Sequence, residues 1–131
     1  MKIEHIALNI TDPIATAEWY VSNLGMQIVR QSGPPTYTVF LADSNGETVL
    51  ELYRFEDALL PDYSAQDPMV LHLAFYTAEA IQEADRLVIA GAKLLGEPRT
   101  TGTGDTLIFL RDPWGIALQL VQRIDPLMPL N

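Results

Sequence analysis

Met69-Val70-Leu71-His72-Leu73-Ala74-Phe75-Tyr76 repeats, in chemistry though not letter for letter, the opening Ile3-Glu4-His5-Ile6-Ala7-Leu8-Asn9. Each stretch places a histidine, a large apolar residue, an alanine and another large apolar residue in that order, and these are the only two histidines of the chain. Both predict short apolar strands. Strand side chains alternate between faces, so His72 shares a side with Val70, Ala74 and Tyr76, and His5 shares one with Ile3, Ala7 and Asn9. The opposite sides, Leu71, Leu73 and Phe75 in one copy and Ile6 and Leu8 in the other, suit packing beneath a helix. Either histidine alone reads as a hydrogen-bonded core residue. Two in register ask for a common cause.

The chain around these strands repeats as well. After the first, Asp12 can cap a helix and Pro13 fits its first turn, where a missing N–H costs nothing. Ile14, Ala17, Val21 and Leu24 recur at helical spacing, Trp19 and Tyr20 flank them as packing residues, and Gly25 is placed to end the helix. Strands are predicted over Met26 to Arg30, Thr36 to Ala42 and Thr48 to Phe55, with Ser32 to Pro35 as a loop and Asp43 to Gly46 as a turn. Glu56 to Pro68, with Pro61 and Pro68 and no sustained period, is a link. The second half follows the same plan: Thr77 caps a helix carrying Ile81, Ala84, Leu87 and Val88, and Gly91 ends it. Lys93 to Leu95 is a strand, Gly96 to Asp105 a loop, and Thr106 to Arg111 a strand. Asp112 to Gly115 is a turn, and Ile116 to Gln122 is the last strand.

Subtraction supports a duplication. His5 to His72, Ile14 to Ile81, Ala17 to Ala84 and Val21 to Val88 all differ by 67, while Asp43 to Asp112 and Gly46 to Gly115 differ by 69. A long-period repeat sets the architecture. The expected organisation is α+β: a β-α-β-β-β module over residues 1–55, a linker over 56–68, a second module over 69–123 and an irregular tail over 124–131.

Composition narrows the function. Eight Lys and Arg against 17 Asp and Glu leave a net charge of −9, which argues against a nucleic-acid partner because phosphate binding needs cations. No apolar run approaches the roughly 20 residues needed to span a bilayer, and no secretory leader precedes the first strand, so a cytoplasmic protein without a membrane partner is expected. With no cysteine, thiolate ligands and nucleophiles are excluded. Histidine, carboxylate, amide and hydroxyl remain.

Glu51, offset by 68 from Gln119, lies in the last strand of its half, amid Val49, Leu50, Leu52 and Tyr53. A carboxylate in such company needs compensation. A divalent cation would supply it, and two imidazoles with a carboxylate are a common donor set for a first-row metal. Gln119 either completes such a site as a weak neutral ligand or is a buried amide bonded to a neighbouring strand. It cannot act as a general base.

The duplicated β-α-β-β-β plan, the His5 and His72 strands, the Glu51 strand and the Asp112-Pro113-Trp114-Gly115 turn resemble the vicinal oxygen chelate superfamily, the glyoxalase, bleomycin resistance and extradiol dioxygenase proteins. The resemblance spans residues 1–123. It implies a cupped, barrel-like mixed sheet with helices outside, frequently a homodimer, with Trp114 and the Ser32 to Pro35 loop available for a cavity rim. It places the family's metal positions on His5, Glu51, His72 and Gln119. Glyoxalase I-like members usually carry glutamate at the fourth position, as ligand and proton-transfer base, so Gln119 favours metal binding over glyoxalase activity itself.

Three functions follow. The first is a metal-dependent lyase or isomerase for a small molecule with two adjacent oxygens, using zinc, nickel, manganese or iron, with Glu51 as the one proton acceptor among the four ligands. The second is an extradiol dioxygenase, which fits less well because that group takes its carboxylate from the strand that here holds Gln119. The third is a metal-free binding or resistance protein. No cluster of Arg and Lys marks a glutathione site; Arg30, Arg99 and Arg111 are candidates by charge alone.

Overall fold

The computed structural model describes residues 1–129. The chain divides into two compact units, 1–61 and 62–131. The first contains β1 (Ile6–Asn9), α1 (Pro13–Leu24), β2 (Gln27–Gln31), β3 (Val39–Ala42) and β4 (Val49–Tyr53). The second contains a 3-10 turn at Tyr63–Ala65, β5 (Leu73–Tyr76), α2 (Ala80–Ile89), β6 (Lys93–Thr100), β7 (Thr106–Arg111) and β8 (Ala117–Gln122). Each unit has one mixed four-stranded sheet, ordered β1-β4-β3-β2 or β5-β8-β7-β6. The first strand of each unit lies parallel to the last, and the other pairings are antiparallel. This is the expected tandem α+β plan.

One face of each sheet makes the core. In the first unit Val39, Leu41, Leu50 and Leu52 are buried beneath α1; in the second, Ile108, Leu110, Leu118 and Leu120 are buried beneath α2. The inward sides of the helices agree with the expected stripes at Ala17, Ala84 and Leu87 and depart from them elsewhere. Ile14, Val21, Ile81 and Val88 are exposed, and the packed residues are Pro13, Thr16, Ala17 and Tyr20 on α1 and Ala80, Ala84 and Leu87 on α2. Small residues let a helix approach a sheet closely, so alanines and one large anchor, Tyr20 or Leu87, take the inner side. That stripe keeps the offset of 67 at Pro13/Ala80, Ala17/Ala84 and Tyr20/Leu87.

The ends of α1 are as expected: Asp12 Oδ1 accepts from Ala15 N at 3.0 Å, and Gly25 closes the helix at φ 69°. Thr77 does less than expected for α2. Its hydroxyl accepts from Glu79 N, while the amide of Ala80 donates to Gln122 Oε1 at the end of β8, 3.1 Å away. Several strands are shorter than expected: β1 begins at Ile6, β3 at Val39 and β5 at Leu73, which leaves both histidines just ahead of their strands. In the other direction, β6 runs through the predicted loop to Thr100. Gly96, at φ 75°, helps it absorb a register shift between Leu95 and Arg99, where four steps on β6 face two on β7.

The hairpin before each last strand is built alike. Asp43 O accepts from Gly46 N and Asp112 O from Gly115 N, both at 3.0 Å. The Asp43 carboxylate receives the amides of Glu47 and Thr48, and that of Asp112 receives Trp114 and Ile116. One extra residue, Glu47, in the first hairpin changes the offset from 69 to 68.

Candidate functional site

The sheet face away from each helix carries the candidate residues. Across the parallel pair β1/β4, Ala7 faces Glu51, and across β3/β4, Phe40 faces the same residue. His5, two residues before Ala7, therefore falls on the side of Glu51 and Phe40. Its Nε2 is 3.1 Å from Glu51 Oε2, its Nδ1 contacts Glu4 Oε2, and its ring meets Phe40 edge to face with centroids 5.6 Å apart. In the second unit Ala74 faces Gln119, and Phe109 faces Gln119 from the other side. His72 Nδ1 is 2.8 Å from Pro68 O, and its ring meets Phe109 edge to face at 5.2 Å.

These contacts constrain the ring nitrogens. A carbonyl oxygen only accepts, so His72 donates from Nδ1, and in the neutral ring the lone pair is then on Nε2. His5 stands between two carboxylates, whereas a neutral imidazole has one N–H to donate. With Nδ1–H given to Glu4, the approach of Nε2 to Glu51 requires a second proton or a cation. Gln119 is 8% exposed, and no described residue hydrogen-bonds its amide. The expected alternative, an amide bonded to a neighbouring strand, is thus not what the described residues form. Imidazole nitrogen with Nδ1 supported, carboxylate oxygen and amide oxygen are each donor types that divalent ions accept.

Among the described residues no group of three or more histidine, aspartate and glutamate side chains is arranged to hold a metal ion. In the first unit His5 meets Glu51, and in the second His72 and Gln119 both adjoin Phe109. Phe40 and Phe109 were not anticipated, although their offset of 69 is that of the adjacent turns and could have exposed them. Arg111 is not available to a substrate through most of its fork. Nη1 donates to Tyr63 O and Gly115 O at 2.9 and 3.0 Å, and Nη2 to Gln66 O at 2.7 Å. Arg30 and Arg99 are exposed on β2 and β6.

Away from this face, Asp105 binds the start of the tail. Its carboxylate accepts from Ile124 N at 2.9 Å and from Arg123 Nη1 at 2.8 Å. The backbone amide first, and the guanidinium second, hold its pKa below the ordinary 3.8.

Two tandem β-α-β-β-β units, each presenting a histidine beside a carboxylate or amide on the sheet face opposite its helix, define a duplicated class of α+β protein. The chain belongs to the Glyoxalase/Bleomycin resistance protein/Dioxygenase superfamily, whose sequence profile matches residues 2–120. No curated protein matches it. Among solved structures it is similar to a glyoxalase family protein from Bacillus cereus, at TM-score 0.78 and 16% identity over 92% of this chain and 93% of that one. It is also similar to the glyoxalase family protein from Enterococcus faecalis, at 0.68 and 29% identity over 92% and 96%. Glyoxalase I from Zea mays aligns at 0.74 and 23% identity, over 95% of this chain and 45% of that one. The first and third of these likenesses are of fold. No helix among the described residues is long and apolar enough to cross a membrane.

Proposed function

We propose that the chain is a metal-dependent lyase or isomerase of the glyoxalase-like kind, acting on a small molecule with two adjacent oxygens. His5, Glu51 and His72 hold a divalent ion, with Gln119 as a weaker fourth donor. The observation that carries this reading is the tie of His72 Nδ1 to Pro68 O, which leaves Nε2 as the nitrogen open to a ligand, together with the pairing of His5 and Glu51 in the first unit. A divalent ion, when bound, supplies Lewis-acid polarisation of adjacent oxygens.

The remaining roles fall to the chain's own residues. Glu51 is the one carboxylate of the four, and with the imidazoles committed to the ion it is assigned as the base. Gln119 accepts hydrogen bonds and donates them but moves no proton. One carboxylate rather than two leaves the site with more positive charge, which suits an anionic substrate. By resemblance to the family, a homodimer in the cytoplasm accompanies this reading. Metal analysis of protein purified without chelator should find about one equivalent of a divalent metal, lost in His72→Ala. Metal content unchanged by that substitution would remove the assignment.

A second reading has one observation in its favour. His5 Nε2 already meets Glu51 Oε2 at 3.1 Å, a pairing that a protonated imidazole makes without metal. A metal-free binding protein is the function it suggests. Equilibrium dialysis with zinc, nickel, manganese and iron separates the two, since binding no tighter than background would favour sequestration.

A further inference from the structure

We propose that Arg111 is a positioning residue for His72, acting through the segment 63–68 rather than touching substrate or metal. The inference rests on the metal-binding reading for its purpose, but its geometry lies wholly within the second unit. Ahead of β5 the chain is irregular, so its carbonyls lack ladder partners and take donors from local turns, as Tyr63 O does from Gln66 N, and from side chains. Arg111 supplies the latter: one planar guanidinium bridges Tyr63 O, Gln66 O and Gly115 O. Close packing against Gly115 locks the same segment, because a Cβ there would lie 2.8 Å from Ser64 Cβ and Ser64 N.

Downstream of Gln66 the fixed backbone runs straight into a turn. Asp67 O accepts from Val70 N at 2.9 Å, its carboxylate accepts from Met69 N at 2.8 Å, and Pro68 occupies the second position, where its restricted φ is favoured. The carbonyl of that proline is the one that receives His72 Nδ1–H. Arg111 thus holds the strap, the strap holds Pro68, and Pro68 determines which nitrogen of His72 keeps its lone pair. Ala42, the counterpart of Arg111 by the offset of 69, can do none of this. The first unit uses Glu4 instead.

The test is a long-range nitrogen-proton correlation spectrum of the metal-free full chain at about pH 8, where imidazole is ordinarily neutral. His5→Ala assigns the two histidines. Wild type should show His72 protonated on Nδ1. In Arg111→Met the His72 signals should move toward the Nε2–H tautomer while those of His5 stay put, and zinc affinity by competition titration should fall about tenfold. If Arg111→Met does not fold, Arg111→Lys, which keeps charge but not the planar fork, is read in the same way. A folded variant with His72 still on Nδ1 overturns the proposal. Should wild type bind no zinc, the metal reading fails, and the tautomer alone decides whether Arg111 positions the ring.

Discussion

The two units place a histidine at equivalent points of equivalent sheets, yet they support it by different means. In the first, the Nδ1 partner is the side chain of Glu4, 79% exposed and next to His5 in sequence. In the second it is a backbone carbonyl in a turn gripped by Arg111. A surface carboxylate is flexible and solvent-screened, whereas a carbonyl in a locked turn is preorganised. The second histidine is therefore the more rigidly supported of the two.

Substitutions at matched positions can break or sharpen this contrast. The largest effect is expected at Gly115→Ala, where a Cβ meets Ser64 and φ is 93°: a loss of about 3 kcal/mol by urea unfolding, combining left-handed strain with overpacking. Gly46→Ala has φ 73° and open space, and should lose only about 1 kcal/mol. Equal losses would mean that the segment over Gly115 yields freely.

Next comes Glu51→Gln, which should weaken zinc binding by roughly 100-fold, at or beyond what loss of an outer-shell partner does. Gln119→Glu should strengthen it by adding a carboxylate, and a titration showing neither change would sink the ligand assignments. Asp112→Ala removes a buried carboxylate that accepts from two amides and should lower stability by about 2 kcal/mol, against about 1 for the exposed equivalent contacts at Asp43. Thermal unfolding of both variants checks the ranking.

Acid titration probes the tail. The folded pKa of Asp105 lies below its unfolded one, so the stabilisation is present above the ordinary 3.8 and is lost as pH falls through the folded value. Asp105→Asn should be less stable at neutral pH and should flatten the acid limb of the urea midpoint against pH. The smallest effect is expected at Glu4→Gln. Its exposure limits the change in zinc affinity to tenfold or less, and a larger drop would put the two histidine supports on a par.

Much of this was legible in residue order. The offsets of 67, 69 and 68 identified the repeat, and period-two alternation placed His5 on the side of Ala7 and His72 on that of Ala74, because strand faces follow from local geometry alone. Asp12, Gly25 and the two Asp-to-Gly turns announced themselves through short-range chemistry. The inner side of each helix did so only in part: Ala17, Ala84 and Leu87 were expected there, but Ile14 fits the same period as Ala17 and close approach to the sheet selected the alanine. Nor did residue order show that Gln122 caps α2, or that β6 continues through Gly96 by a bulge.

By itself, then, the sequence determined the duplication, the α+β plan and the identity of the four candidate donors, since all of these rest on spacing within a few residues or on exact recurrence. Only the tertiary structure decided what each donor touches: Phe40 and Phe109 against the rings, Pro68 O on His72, and Arg111 on the strap behind it. Those contacts join residues up to 48 positions apart, and such partnerships arise from packing that no local pattern encodes.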